Sequence, residues 1–267
     1  MICSICYTYA SEKINNISVC EYCKSNFENN KLIYCGEFDY DFRPDNYIFN
    51  RICGERKNNL YCGVELEINT NARTKMNLLY DFYTNPFFYF KHDGSLPNVN
   101  SVEIVSHPAT LKYHLLSDQW YNIFSCLNKL KVTNIKNCGL HFHFNKSAFN
   151  DTQLASLDYF INSDKSFLEN IGGRKLNTFC KLFRKPLSEY GRQNSDRYVA
   201  LNLKNKNTVE MRFFNSTVDY FTFKERLMSA FALCEFARKY NSLCSDVQTN
   251  QQNYLKCLEK IKNKIMN

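Results

Sequence analysis

Three short segments each carry a pair of chemically capable side chains two residues apart, the spacing that puts both on one face of a β-strand. Gly63-Val64-Glu65-Leu66-Glu67-Ile68 alternates acids with aliphatic residues. Leu140-His141-Phe142-His143-Phe144 does the same with imidazoles, and Val209-Glu210-Met211-Arg212-Phe213 with an acid and a guanidinium. At ~3.3 Å per residue the two members of a pair stand about 6.6 Å apart. A fourth segment, Ser101-Val102-Glu103-Ile104-Val105-Ser106, places Glu103 out of phase with Val102 and Ile104. The polar positions hold Glu, His and Arg and none of the Lys or Thr of an ordinary wet sheet surface.

Taken singly, each pair also fits a solvated sheet face. Four acids on one face are a different matter. Two carboxylates ~7 Å apart repel by about 2.4 kcal/mol at an effective dielectric near 20, so cations must sit among them. Arg212 offsets part of this repulsion, and divalent ions would offset the rest. Oxygen ligands with an occasional imidazole suit Mg2+ or Mn2+ better than zinc. The two histidines also fit core positions or zinc ligation, although strand spacing supplies only two of the three protein ligands a catalytic zinc needs.

A second constellation opens the chain. Cys3-x2-Cys6 and Cys20-x2-Cys23 give C-x2-C-x13-C-x2-C. Two such knuckles complete a tetrahedron of thiolates around a structural Zn2+, with no open position for catalysis. So short a segment buries no core of its own, and the metal would supply its folding free energy. Thirteen cysteines, an odd number, argue for metal ligands plus buried thiols rather than a disulfide scaffold. The remaining nine are read as small buried hydrophobes.

The elements that must position these residues follow from periodicity. Residues 1–30 form the cysteine module, 31–59 a linker packed on the main domain, and 60–267 the main domain. Within it the sequence predicts a helix from Ala72 to Tyr83 and a strand from Phe87 to Lys91. The His92-Asp93-Gly94-Ser95 turn and the Glu103 strand follow, then one long amphipathic helix from Lys112 to Lys131. After the His141/His143 strand, Asn150 or Asp151 caps a helix through Leu154, Leu157, Phe160 and Ile161. A basic loop opened by Gly172-Gly173 carries Arg174, Lys175, Lys181, Arg184, Lys185, Arg192 and Arg197, suited either to clamping polyphosphate or to lying solvated. Tyr198–Leu203 and Thr208–Phe214 pair as a hairpin, and helices near 220–242 and 250–265 close the chain. The fold class expected is α+β: a curved antiparallel sheet with helices on one face, plus the small N-terminal module.

Hydrophobic content of 44% and charged content of 22% are those of a soluble globular protein, and 15% aromatics promise a large aromatic core. No apolar run approaches the ~20 residues of a membrane span and no signal peptide opens the chain, so a cytoplasmic protein with no membrane partner is expected. A net charge of +8 is compatible with a nucleotide, an acidic peptide or nucleic acid as partner, and equally with a solvated basic surface. The absence of a Walker motif, of G-x-G-x-x-G and of G-x-S-x-G disfavours P-loop, Rossmann and α/β-hydrolase enzymes.

The ordered series of motifs has a precedent. Gly63-x-Glu65-x-Glu67 is followed by His92-Asp93-Gly94-Ser95, Glu103-Ile104-Val105-Ser106-x-Pro108 and Cys138-Gly139-Leu140-His141-Phe142-His143. Arg197-x3-Leu201-Asn202-Leu203 and Thr208-Val209-Glu210-Met211-Arg212-Phe213-Phe214-x2-Thr217 complete it. Across residues 60–240 this series resembles the amidoligase family of carboxylate–amine ligases, which shares the glutamine synthetase catalytic fold. The cysteine module lies outside the likeness. The resemblance implies ATP-dependent amide formation, in which a substrate carboxylate is phosphorylated and an amine attacks the acyl phosphate. By the same resemblance Glu65, Glu67, Glu210 and His141 bind Mg2+ (or Mn2+) with ATP. Glu103 is a further metal ligand, and Asp93 and His143 belong to the cofactor site. Arg212, with Arg197 and Glu210, acts on the transferring phosphoryl group or substrate. The substrates implied are an amino-acid, peptide or protein carboxylate and an amine.

Two rival readings differ in class. One is a zinc-ribbon module for nucleic acid or protein attached to an inactive ligase-like domain. The other is a metal-dependent hydrolase built on His141, His143 and the acids. The zinc module is expected to recruit a macromolecular partner, with nucleic acid left open.

The cysteine spacing generates the first prediction. Purified protein should hold about one tightly bound zinc per chain, and Cys20→Ser should lower the thermal stability of the N-terminal unit. Metal analysis that finds no zinc would overturn the assignment.

Overall fold

The computed structural model describes residues 12–14, 17–19, 47–53, 55, 60–82, 85, 87–91, 101–133, 135–192 and 196–266. Cys3, Cys6, Cys20, Cys23 and Asp93 lie outside the described residues, as does most of the 31–59 segment. Strands β1 (Glu12–Ile14) and β2 (Ile17–Val19), between the two cysteine pairs in sequence, run antiparallel.

Among the described residues the alternating segments become one sheet of six strands, every neighbouring pair antiparallel. These are β3 (Cys62–Ile68), β4 (Phe88–Lys91), β5 (Val102–Ser106), β6 (Gly139–Asn145), β7 (Leu201–Asn202) and β8 (Thr208–Asn215), in the spatial order β4-β5-β3-β6-β8-β7. The sheet is open, and the three strands bearing Glu65, His141 and Glu210 are adjacent at its centre. Seven α-helices occur among the described residues: α1 (Ala72–Phe82), α2 (Leu111–Leu116), α3 (Gln119–Lys129), α4 (Asp151–Ser163), α5 (Lys165–Gly172), α6 (Tyr220–Lys239) and α7 (Val247–Met266). The architecture is α+β, as the patterning predicts.

One face of the sheet is the core. Val64, Leu66, Ile68, Ile104, Leu140, Phe142, Phe144, Val209 and Met211 are fully buried there. Helical aromatics pack against them: Phe231 of α6 lies edge-on to Phe144 at 5.0 Å, and Trp120 of α3 edge-on to Phe88 at 4.9 Å. This burial of large apolar chains leaves the alternate positions no choice of side, since a one-residue slip would bury the acids and expose the core.

The expected single helix over 112–131 is two helices. Ser117 leaves the helical region (φ −80°, ψ 147°), its N–H closing on Tyr113, and Asp118 precedes α3. The break lets Trp120 turn into the core against Phe223, with ring centroids 4.5 Å apart. The Trp120 indole then donates to His114 Nδ1 at 3.0 Å, so the His114 proton is on Nε2, 2.8 Å from the Cys62 carbonyl. Asn150 caps α4 through a reciprocal capping box with Gln153, and Asp164 starts α5 by accepting from Phe167 N–H.

The basic loop is neither a free clamp nor merely solvated. Lys185 is buried against Asp158 of α4 at 2.6 Å, and Asp158 also accepts from Gly191 N–H and Asn162. Lys175 pairs with Glu169 and Lys181 with Asp196. The cysteine expectation holds for Cys62, Cys126, Cys138, Cys180, Cys234 and Cys257, which are buried, and fails for Cys53 and Cys244, which are exposed. Among the described residues no helix is long and apolar enough to cross a membrane.

Burial pushes the His114 imidazole down to about 4. The native state therefore keeps it neutral while the unfolded chain binds a proton below its ordinary value near 6.5. Its contribution is fully present above that value and is lost as pH falls toward 4. The integrated loss is about 3 kcal/mol. Chemical denaturation at a series of pH values should show this component, and His114→Gln should abolish it along with some of the stability at neutral pH. Identical pH profiles for the two proteins would refute the assignment.

Candidate metal centre

Register aligns the polar positions into rows across the second face. Glu65 stands opposite His141 on β6 and Val105 on β5, while Glu67 stands opposite Glu103, which in turn faces Lys91 on β4. Gly63, His143, Glu210 and Asn202 form the next row. Between Leu140 and Phe142 the β6–β8 register shifts, so Arg212 and Phe213 together oppose His141. This is a β-bulge, a device that re-aims side chains beside functional sites. Arg174 donates to the Arg212 carbonyl within the bulge and, at 3.3 Å, to Cys138 O.

The side chains converge. Glu65 Oε2 lies 3.5 Å from His141 Nδ1 and 3.2 Å from His143 Nε2, and Glu210 Oε1 lies 3.9 Å from each of those nitrogens. One ligand atom each from Glu65, His141 and Glu210 fall within 4.8 Å of one another. Ligands around a small octahedral ion with 2.0–2.1 Å bonds are roughly 3.0–4.2 Å apart, so modest side-chain movement would seat such an ion. His143 Nε2 strengthens the fit: it is buried 3.2 Å from Glu65 Oε2, and no geometrically satisfied hydrogen bond reaches it among the described residues. The donor set of carboxylates and imidazoles suits Mn2+ or Mg2+, the second imidazole favouring the former.

The acids are held individually. Glu67 accepts from Gly139 N–H and lies 3.7 Å from His141 Nε2. Glu210 accepts from Asn202 at 2.7 Å and pairs with Arg212. Lys91 donates to Glu65 Oε1 at 3.2 Å and lies 3.7 Å from Glu103. Burial drives the Glu65 carboxyl upward, but His143 and Lys91 outweigh it and hold Glu65 well below the usual carboxylate range. The same contest, burial against His143 and Arg212, leaves Glu210 below its ordinary value. Glu103 goes the other way: burial, and then Glu65, push it well above, against the pull of Lys91. Burial lowers the His143 imidazole, and Glu65 and Glu210 more than reverse this, so it is raised.

Glu65, Glu67, Glu103, His141, His143, Glu210 and Arg212 are thus brought together. Arg197 is not among them: it is exposed, stacked over the Tyr198 ring at 4.9 Å and bonded to its hydroxyl. The Arg212 guanidinium reaches the same ring from 5.9 Å and donates to Phe179 O at 3.4 Å. The polar positions of β3, β6 and β8 near the cluster hold no lysine, but β4 brings Lys91 into the same face. Alternation along Phe88-Tyr89-Phe90-Lys91 places Lys91 on the polar side, but only the register shows that it meets Glu103. Asn202 was part of a motif without a role, and its carboxamide now orients Glu210.

Beside the cluster a cleft of about 1320 Å³ runs from Glu65, Lys91 and His143 toward Lys146, Lys206 and Arg238, past the rings of Tyr47, Phe49, Tyr61 and Phe149. Comparison of the chain with protein-family models and with curated proteins finds no match.

Strain within the acid cluster is testable. Because the folded-state value of Glu103 is raised, its ionised form opposes folding increasingly as pH rises above the ordinary carboxylate value. Glu103→Gln should therefore raise the melting temperature of metal-free protein at pH 7, on the order of 2–4 °C for each ~1 kcal/mol relieved. It should also weaken divalent-metal binding measured by calorimetry. A lower melting temperature in the variant would contradict this electrostatic account.

Proposed function

We propose that the chain is an ATP- and divalent-metal-dependent ligase joining a carboxylate to an amine through an acyl phosphate. The substrates are of the amino-acid, peptide or protein class. The observation that supports this best is the grouping, on one sheet face, of Glu65, His141 and Glu210 with the cations Arg212 and Lys91, beside a cleft lined by further cations and aromatic rings. Phosphoryl transfer needs positioning and charge stabilisation more than a protein nucleophile. None of the clustered residues is a serine or cysteine nucleophile, which agrees with that demand.

A divalent ion bound there would neutralise the oxygens of the transferring phosphoryl group. Glu65, His141 and Glu210 would hold it, with Glu67 and Glu103 as further acids of the site. In the first half-reaction a substrate carboxylate oxygen bonds to the γ-phosphorus as ADP departs. In the second, the amine bonds to the acyl carbon, phosphate departs and the amine loses a proton. Arg212, on the same strand face as Glu210, would hold phosphoryl oxygens, its planar fork accommodating two at once. Lys146, Lys206 and Arg238 suit the anionic parts of nucleotide or substrate, and the surface of the four-cysteine segment, folded around a structural zinc, would recruit a macromolecular acceptor.

Two imidazoles beside carboxylates also fit metal-dependent hydrolysis, and the test separates the readings. Protein incubated with Mg2+ or Mn2+ and labelled ATP should turn ATP over in a manner dependent on an added carboxylate and amine. Glu65→Gln and Glu210→Gln should both weaken metal–ATP binding. Substrate cleavage without ATP would replace the ligase by a hydrolase. Salt-sensitive nucleic-acid binding with neither activity would replace it by a binding module. With an accepted substrate pair in hand, Arg212→Lys should lower turnover roughly a hundred- to a thousand-fold, about 2.7–4 kcal/mol of barrier, with much less effect on ATP affinity. A near-normal turnover number would remove Arg212 from the chemistry.

A further inference from the structure

Two-metal phosphoryl-transfer sites hold their ions ~3.5–4 Å apart. A carboxylate between them offers one oxygen to each. Glu65 is placed to be such a carboxylate: its Oε2 faces His141 and His143, and its Oε1 faces away from them, toward β4. On the neighbouring strand β5 stands a second acid, Glu103. A second ion bridging Glu65 and Glu103 would complete a binuclear centre. That position is already filled. Lys91 Nζ lies 3.2 Å from Glu65 Oε1 and 3.7 Å from Glu103 Oε1, with its side chain about as buried as that of Glu65.

We infer that this face takes a single divalent ion, at Glu65, His141 and Glu210, and that the Lys91 ammonium is a built-in substitute for a second. The inference rests on the reading of the face as a metal centre. Backbone register fixes the substitution in place: Lys91 is the direct cross-strand partner of Glu103, which is itself opposite Glu67. Two acids directly opposed on adjacent strands repel, and the lysine supplies at the end of that row the charge a metal would otherwise bring. The charge balance agrees for the metal-bound state. With both imidazoles neutral as ligands and the four glutamates ionised, the glutamates exceed Lys91 and Arg212 by two negative charges, which one divalent ion cancels. An ammonium differs from a metal in having no open coordination position, so at this position it neutralises acids without activating a water.

The test counts ions on protein whose cysteines have first been filled with Zn2+. Wild-type protein titrated with Mn2+ and followed by electron paramagnetic resonance should bind about one Mn2+ per chain, with the spectrum of an isolated ion. Lys91→Met, of similar length but uncharged, should bind about two, now close enough to couple magnetically. Adding Glu103→Gln to Lys91→Met should return the count to one. Two coupled ions in the wild type overturn the inference without recourse to any variant, and so does a single ion in a folded Lys91→Met. No Mn2+ in any of the proteins overturns the metal reading itself, and with it the proposed function, an outcome distinct from either of the others.

Discussion

Mutual repulsion among buried carboxylates is the constraint on which the rest of this structure depends. Four glutamates on one sheet face do not sit together by default. Each is held by a specific neighbour: Glu65 by Lys91, Glu67 by the Gly139 N–H, Glu103 at the edge of the Lys91 ammonium, and Glu210 by Arg212 and Asn202. The backbone has to cooperate. A side chain at Gly139 would bring a Cβ 2.4 Å from His141 Nε2 and 3.3 Å from Glu67 Oε2, so glycine there lets the His141 ring lie beside Glu67. The opposite face of the same strands, filled with Phe, Leu and Val, provides the rigidity that keeps like charges from simply moving apart.

The loop after α5 is drawn into the same arrangement. A buried ion pair is costly to desolvate and tolerable only when every remaining bond is made. Asp158 meets that requirement through Lys185, Asn162 and the Gly191 N–H. The pair fixes the middle of a loop whose flanking parts reach the centre: Phe179 through its carbonyl to Arg212, and Tyr198 through its ring. A buried residue of α4 thus bears on the setting of Arg212, which we propose acts in phosphoryl transfer.

Much of this was legible in the chain. Strict alternation identified the faces of β3, β5, β6 and β8, because with side chains of such contrasting hydrophobicity only one register buries the apolar set. It placed Glu65, Glu67, Glu103, His141, His143, Glu210 and Arg212 together. What escaped was set by contacts distant in sequence. Lys91 looked like the polar end of a short apolar strand, and its meaning lies in pairing with Glu103. The break at Ser117 follows from Trp120 seeking Phe223 and His114 in the core, a tertiary preference that overrides a helical stripe. Lys185 read as one more loop cation because nothing local announces Asp158, 27 positions earlier. Arg197 was carried into the site by resemblance alone, and the structure stacks it on Tyr198 instead.

The bulge in β8 divides that strand into two reading frames. Upstream, even-numbered Glu210 and Arg212 point to the acids and Met211 to the core; downstream, Phe214 pairs with Leu140 and is buried in the core. The surplus residue makes the parity of the first half independent of the second. A replacement on one side leaves the facing of the other half unchanged, but losing or gaining one position between them transposes a whole half-strand. Drift at this locus should accumulate as replacements and almost never as single-codon gaps.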